Sequence, residues 1–254
     1  MTNTAENPAP LTKDTVFTFK RYEKKFLLPE DKYAAFMETA AEHLVPDAYH
    51  RSFVRSIYYD SDDFRLIRSS LERPVYKEKL RVRSYGIAKP DGSVFVELKK
   101  KYKGIVYKRR IETTPEAAEN WLAGKAAAPK DTQITREIDW FLKMNPVRPM
   151  ALIACDRTSW MDKDNNELRI TFDENLRWRN EDMHLTSPDG GKALLPEGHR
   201  LMEIKIPGAA PLWLAHLLSR EEIFPTSYSK YGTCYRDELF RPELFRAGEN
   251  NTME

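Results

Sequence analysis

Long apolar runs are missing from this sequence of 254 residues, and cysteine is scarce in it, with only 2 residues. No window approaches the roughly 18 to 20 apolar residues that a membrane-spanning helix needs. The first ten residues hold no basic segment followed by an apolar one, so we expect no secretory signal. Cys155 and Cys234 form neither a CxxC pair nor a metal-ligand cluster. These absences favour a reducing compartment, and we expect a cytoplasmic protein.

The net charge is also close to zero, because 41 Lys and Arg residues oppose 39 Asp and Glu residues. This balance conceals an uneven distribution. Residues 73–110 contain 13 basic and 3 acidic side chains, a local excess of ten positive charges. The rest of the chain has an excess of eight negative charges. One strongly basic segment is typical of a protein that binds a polyanion at a single place.

The hydrophobic pattern predicts an α+β fold with at least eight strands. Turn signals such as Pro90-Asp91-Gly92 separate segments in which apolar and polar residues alternate. Connections this short favour antiparallel pairing, because a parallel crossover needs a dozen or more residues. We therefore expect one antiparallel sheet that can close into a barrel. The predicted strands are 16–28, 52–59, 76–85, 93–100, 105–113, 150–160, 167–173 and 200–206, and a last amphipathic helix is predicted over Tyr235–Phe245.

Strand alternation collects much of the charge on one face. Residues two apart in a strand point to the same side, which places Lys79, Arg81 and Arg83 together, opposite Leu80 and Val82. Five further strands group Arg21 with Glu23 and Lys25, Glu97 with Lys99, Lys108 with Arg110 and Glu112, Arg169 with Thr171 and Asp173, and Glu203 with Lys205.

A solvated outer face would explain any one of these strands. It explains the whole set less well, because like charges on one face of a strand repel each other unless an anion compensates them. Arg binds phosphate oxygens through two parallel hydrogen bonds, and Lys acts as a point charge. Mn²⁺ or Mg²⁺ takes one or two protein carboxylates when phosphate and water complete its shell. The pattern therefore indicates a concave surface that binds a phosphate chain together with a divalent metal cofactor.

Seven short motifs resemble, in the same order, those of the VTC polyphosphate polymerase domain, named for the vacuolar transporter chaperone complex. They are Arg21–Phe26, Leu80–Arg83, Phe95–Lys99, Asp156–Thr158, Leu168–Asp173, Met202–Lys205 and Ser229–Tyr231. This domain family belongs to the CYTH-like triphosphate tunnel metalloenzymes. The resemblance covers about Phe19 to Phe240 and implies an antiparallel β-barrel tunnel of about eight strands with helices packed outside. It assigns residues 15–246 to one tunnel domain, and we expect disordered segments at 1–14 and 247–254.

The resemblance also implies roles for individual residues. The phosphate-binding and catalytic set would be Lys25, Arg81, Arg83, Lys99, Arg157, Arg169 and Lys230. Further substrate contacts would come from Arg21, Lys103, Lys108, Arg110, Lys205 and Ser229. Glu203 would be the main metal ligand, with Glu97, Glu23 and Asp173 as additional candidates. For Asp173, an ion pair with Arg169 is the alternative.

Three classes of function follow from these expectations. The first is a metal-dependent polymerase that transfers the terminal phosphate of ATP to a growing polyphosphate chain. The second is a tripolyphosphatase or nucleoside triphosphatase on the same fold, and the third is a non-catalytic polyanion-binding module. The hydrolytic branch of the superfamily typically opens with Glu-x-Glu-x-Lys, whereas Arg21 stands here in place of the first acid. A cation there weakens a two-metal hydrolytic site and favours the polymerase.

The expected partners are ATP and polyphosphate. Nucleic acid is disfavoured, because no helix-turn-helix, RNA-recognition or zinc-finger pattern is present. Trp121, Trp140 and Trp213 could stack on bases, but their apolar helix faces predict a place in the core. The membrane spans that accompany eukaryotic polymerase subunits are missing from this sequence, so any coupling to export would need a membrane-protein partner. The sequence sets no oligomeric state.

Overall fold

One antiparallel sheet of nine strands dominates the computed structural model, which describes residues 22–103, 105–165 and 167–240. The strands are β1 (Tyr22–Pro29), β2 (Leu44–Asp60), β3 (Tyr76–Tyr85), β4 (Val94–Tyr102), β5 (Ile105–Thr113), β6 (Arg148–Asp162), β7 (Arg169–Arg179), β8 (Lys192–Ala193) and β9 (His199–Ile206). Their hydrogen-bonded order is β1-β9-β7-β6-β2-β3-β4-β5, and β8 pairs with β7. All the ladders are antiparallel, which confirms the predicted α+β class.

Six α-helices accompany the sheet. They are α1 (Glu30–Ala40), α2 (Arg65–Leu71), α3 (Pro115–Leu122), α4 (Gln133–Met144), α5 (Leu212–Arg220) and α6 (Lys230–Cys234), and α6 continues into a π-helical turn at Tyr235–Leu239. In the described part of the chain, no helix combines the length and the hydrophobicity that a membrane crossing requires.

Short turns produce the antiparallel neighbours. Between β3 and β4 the backbone N–H of Gly92 donates to the carbonyl of Lys89 at 2.9 Å. After β6, the carboxylate of Asp162 accepts hydrogen bonds from the backbone N–H groups of Asp164 and Asn165, both at 2.9 Å. An Asp side chain that satisfies the backbone in this way stabilises a reversal of the chain. The first of these turns lies at the predicted turn signal Pro90-Asp91-Gly92.

The sheet curves so that its two ends approach each other. β1 and β5 end the strand order, and no backbone ladder joins them within the described residues. However, Nζ of Lys99 on β4 lies 3.3 Å from a carboxylate oxygen of Glu23 on β1, although five strands separate β1 from β4 in the sheet. The structure is therefore a curved sheet around a charged interior, and side chains bridge the gap between its ends.

Helices cover the convex face of the sheet. α3 and α4 pack on this part of the sheet, where Trp121 and Phe141 share one apolar cluster with Leu80 and Leu98 of β3 and β4. α1 and α5 cover β1, β7 and β9 in the same way. Each fully buried Leu or Phe side chain contributes about 1.5–3 kcal/mol through the hydrophobic effect. This burial explains why the charged alternate residues of the same strands face inward.

A third apolar cluster occupies part of the concave side. It joins α2 and α6 to β2, β6 and β7 and contains both buried cysteines. Tyr231 of α6 stacks on Tyr58 of β2, with ring centroids 4.9 Å apart. Cys155 belongs to this cluster, and it shares its strand face with Arg157, two residues along β6. The cluster thus borders the polar interior, and α6 brings Lys230 to it.

Some element boundaries differ from the predictions. β2 begins at Leu44 rather than at residue 52, because residues 44–46 also pair with β6 before a register shift. The last helix begins at Lys230 rather than Tyr235, because the Ser229 hydroxyl caps it by accepting from the N–H of Gly232 at 3.3 Å. It ends at Leu239, since Phe240 has an extended backbone. The predicted strand residues 16–21, the two predicted disordered segments and residues 241–245 of the predicted last helix lie outside the described residues.

One tryptophan prediction is wrong. Trp121 is buried as expected and Trp213 is half-buried, but Trp140 keeps 64% of its surface exposed. The buried face of α4 is formed by Ile134, Ile138 and Phe141. Trp140 points away from this face, where the ammonium of Lys143 lies 6.0 Å from its ring centroid.

Candidate phosphate-binding cavity

The inward-facing side chains surround a cavity of about 470 Å³. Five strand segments, β1, β3, β4, β6 and β9, and the beginning of α6 supply most of its charged groups. The lining residues are Glu23, Lys25, Tyr58, Lys79, Arg81, Arg83, Lys99, Val106, Lys108, Arg157, Glu203, Lys205, Ser229 and Lys230. Nine of these fourteen residues are basic, so the cavity concentrates positive charge.

Glu97 neutralises the cations of one cavity wall. Its carboxylate is 1% exposed and accepts a hydrogen bond from Nε of Arg81 at 2.7 Å, while Nζ of Lys108 lies 2.6 Å away. Arg110 approaches it at 3.5 Å. Burial alone would raise the pKa of Glu97, but Arg81, Arg83 and Lys108 outweigh it and hold the pKa far below its usual range. Glu97 therefore stays ionised and fixes the orientation of Arg81.

Asp173 neutralises the cations of another cavity wall. Arg157 donates two parallel hydrogen bonds to it, at 2.5 and 2.7 Å, and Lys230 also donates to this fully buried carboxylate. Burial would raise the pKa of Asp173, but the attraction of Arg157 and Lys230 is larger and lowers it. The predicted alternative, an ion pair between Asp173 and Arg169, is wrong. Arg169 lies four residues earlier on β7 and pairs with Asp47 at 3.3 Å.

Glu23 and Glu203 lie on the cavity wall itself. The β1–β9 register pairs Lys25 with Glu203 and Glu23 with Lys205, so cations and acids alternate across the two strands. Nζ of Lys25 lies 3.1 Å from Glu203 and 3.6 Å from Glu23. Lys205 and Lys230 each lie 3.4 Å from Glu203. Burial opposes ionisation of both acids, but the surrounding lysines hold each pKa below its ordinary value.

These two carboxylates fit a divalent metal better than the other two predicted ligands do. Glu97 and Asp173 lie behind the wall and are held by guanidinium groups, whereas Glu23 and Glu203 line the cavity and are held by lysines on flexible stems. Within the described ranges, no three His, Cys, Asp or Glu side chains form a metal site by themselves. A Mn²⁺ or Mg²⁺ ion would thus be held by Glu203 and Glu23 together with phosphate oxygens and water.

The structure brings most of the sequence-predicted residues together. Those that line the cavity are Lys25, Arg81, Arg83, Lys99, Arg157, Lys230, Lys108, Lys205, Ser229, Glu23 and Glu203. Glu97 and Asp173 contact these residues from behind, and Arg110 stacks 3.5 Å above the ring of Phe95. Neither Arg169 nor Lys103 is among the lining residues, because Arg169 lies at the start of β7 and Lys103 in the turn after β4. Arg21 lies outside the described residues.

Three of the lining residues, Lys79, Tyr58 and Val106, were not among the predicted site residues. Lys79 shares its strand face with Arg81 and Arg83, and this alternation could have identified it. Tyr58 has no such signal, because its place depends on how β2 packs against β3 and α6. Its hydroxyl accepts a hydrogen bond from Arg81 at 3.5 Å. Burial would raise the pKa of Tyr58, yet Arg81, Arg83 and Lys230 together lower it.

Comparison with known proteins agrees with this architecture. A candidate adenylate cyclase from Bacillus halodurans superposes with a TM-score of 0.50 at 12% identity, over 83% of this chain and 95% of its own. A candidate adenylyl cyclase from Hippeastrum, described as having a dominant triphosphatase activity, gives a TM-score of 0.49 at 14% identity, over 87% and 97%. An identity this low shows similarity of fold alone, and this similarity rests on the Bacillus protein.

Sequence similarity identifies the family. No curated protein matches the chain significantly. The VTC domain model, in contrast, matches residues 20–237, which include the nine strands and the six α-helices described above. The protein therefore belongs to the VTC domain family.

Proposed function

We propose that the protein is a metal-dependent polyphosphate polymerase, which transfers the terminal phosphate of ATP to a polyphosphate chain held in the cavity. The observation that carries this proposal is the convergence of nine basic side chains and two carboxylates, Glu23 and Glu203, on one cavity. Family membership supports it, because the resemblance to VTC polyphosphate polymerase domains implies this activity. At a coarser level, the same features support a tunnel-fold protein that acts on triphosphates.

The charge of the cavity matches that of a triphosphate. Nine basic side chains face four carboxylates, those of Glu23, Glu97, Asp173 and Glu203, which leaves an excess of five positive charges when all are ionised. A triphosphate carries about four negative charges near neutral pH, and phosphoryl transfer is catalysed mainly by positioning and charge stabilisation. An anion of this size would relieve the repulsion among the cations and be bound along its length.

The walls have distinct tasks in the proposed transfer. Arg81 and Arg83 approach from β3, and Arg157 and Lys230 approach from β6 and α6. Their guanidinium and ammonium groups would align the terminal phosphate of ATP with the end of the acceptor chain. The bond between the γ phosphorus and the β–γ bridging oxygen breaks, ADP leaves with that oxygen, and an acceptor oxygen bonds to the γ phosphorus. A divalent cation bound at Glu203 and Glu23 would neutralise negative charge on the phosphate oxygens.

Product analysis with ATP and Mn²⁺ tests the proposal. The expected products are ADP and phosphate chains that lengthen with time, resolved by gel electrophoresis, with little free orthophosphate. Orthophosphate released in proportion to ADP would instead show hydrolysis, and binding without turnover would show a polyanion-binding module. Lys100→Ala is the matched control. Lys100 follows Lys99 on β4, but it pairs with Glu137 of α4 on the convex side of the sheet. The activity of this variant should therefore stay within about twofold of that of the natural protein.

A further inference from the structure

Lys79 differs from the other lysines of the cavity. Lys25, Lys99, Lys108, Lys205 and Lys230 each contact at least one carboxylate. Among the described residues, Lys79 has no carboxylate within ion-pair distance, and its ammonium donates a hydrogen bond to the Ser229 hydroxyl at 3.2 Å.

The groups that face Lys79 are cations. Lys25 of β1, Lys77 and Arg81 of its own strand and Lys99 of β4 all repel its ammonium. On the neighbouring strand β2, the carboxylate of Asp60 is occupied by the backbone N–H groups of Leu66 and Ile67 and by the Tyr231 hydroxyl. Lys99 is also its direct partner in the β3–β4 register. Placing an ammonium among four other cations is unfavourable unless an anion compensates it. Since no carboxylate of the described residues lies within ion-pair distance of Lys79, the missing counterion would come from the ligand.

We propose that Lys79 is a further phosphate-binding residue of the cavity, and that it takes up a proton when a phosphate chain binds. This inference rests on the proposed function only in taking the bound anion to be a phosphate chain. The ammonium would move from the Ser229 hydroxyl, or remain bonded to it, while donating to a phosphate oxygen.

The protonation behaviour of Lys79 supports this role. Burial, followed by the repulsion of Lys25 and Lys99, lowers the pKa of Lys79 to about 7. Without a bound anion, neutral and charged Lys79 therefore coexist at neutral pH. A bound polyanion favours the charged form and raises the pKa again. Because binding takes up a proton, the affinity for the anion falls as the pH rises through about 7.

Calorimetric titration with tripolyphosphate, in buffers of different ionisation enthalpy, tests the inference. Between about pH 6 and about pH 8.5 we expect the affinity of the natural protein to fall by roughly tenfold, as the fraction of charged Lys79 falls. Lys79→Arg keeps its charge throughout this range, so its affinity should fall less and its proton uptake should be smaller by a fraction of one proton. The ligand and Lys108 also change protonation in this pH range. They do so equally in the natural protein and in Lys79→Arg, so their contribution cancels when the two proteins are compared.

Lys79→Met provides the second comparison. It should bind tripolyphosphate about tenfold more weakly near pH 6 and about equally near pH 8.5, and it should unfold at the same or a higher temperature because a crowded cation is removed. Equal affinity and equal proton uptake in all three proteins would overturn the inference. Tight binding of tripolyphosphate without any polymerase activity would refute the proposed function and leave the role of Lys79 intact, whereas no binding to the natural protein would refute both.

Discussion

Glu203→Gln is expected to lower ATP-dependent phosphate transfer by at least about 100-fold while the protein remains folded. Glu203 contacts three lysines, Lys25, Lys205 and Lys230, and it is the more buried of the two carboxylates that can hold a metal. The amide keeps the shape of the side chain but removes its charge. A divalent cation would then lose the carboxylate proposed as its main ligand, and the three lysines would repel one another. Rates of ADP formation at saturating ATP and Mn²⁺ measure this loss.

Glu97→Gln is the matched control for metal binding. Glu97 is also ionised and surrounded by cations, but Arg81, Lys108 and Arg110 occupy its carboxylate. We therefore expect the affinity for Mn²⁺, measured by electron paramagnetic resonance in the presence of tripolyphosphate, to fall by about tenfold or more in Glu203→Gln and by less than about twofold in Glu97→Gln. The opposite order would show that Glu97 is the metal ligand and Glu203 a structural counterion.

Asp173→Asn is expected to lower the free energy of unfolding by about 3–5 kcal/mol. The carboxylate of Asp173 is completely buried and binds both Arg157 and Lys230. Without its charge, two buried cations lose their compensating partner, which costs more than losing a surface ion pair. Urea denaturation of the ligand-free protein measures the change. Asp189→Asn, which breaks a more exposed pair with Arg177, should cost no more than about 1 kcal/mol.

The pH dependence distinguishes this explanation from a simple loss of packing. Arg157 and Lys230 hold the pKa of Asp173 below its ordinary value of 3.8 in spite of burial, so the charge stabilises the folded state above that value. This stabilisation disappears as the pH falls through the lowered folded-state pKa. The difference in stability between the natural protein and Asp173→Asn should be constant above about pH 5 and shrink in acid. A difference that is the same at all pH values would contradict the electrostatic account.

Strand alternation accounts for much of what the sequence could predict. The apolar residues of β3 and β4 alternate with Arg81, Arg83 and Lys99, and burial of the apolar set under α3 and α4 requires the charged set to face inward. This local rule holds for each strand separately, so it needs no knowledge of the fold. The same rule separates Lys99, which lines the cavity, from Lys100, which pairs with Glu137 on the other side.

Contacts between elements could not be predicted in this way. Alternation places Arg169 and Asp173 on one face of β7, but it does not give the β6–β7 register that makes Arg157 the direct partner of Asp173. Nor does it show that Lys230 of α6 reaches Asp173 or that Arg169 reaches Asp47. It also cannot distinguish a carboxylate on the cavity wall, such as Glu203, from one behind it, such as Glu97. The role of Tyr58 depends on α6 packing from the concave side, a long-range contact with no local signal.

A crystal structure with tripolyphosphate and Mn²⁺ tests the central claim most directly, because the anomalous scattering of manganese locates the metal independently of the phosphate density. We expect a phosphate chain between Arg81 and Arg157, with manganese coordinated by Glu203 and by phosphate oxygens. Phosphate bound only on the outer surface, or manganese far from both Glu203 and Glu23, would contradict it.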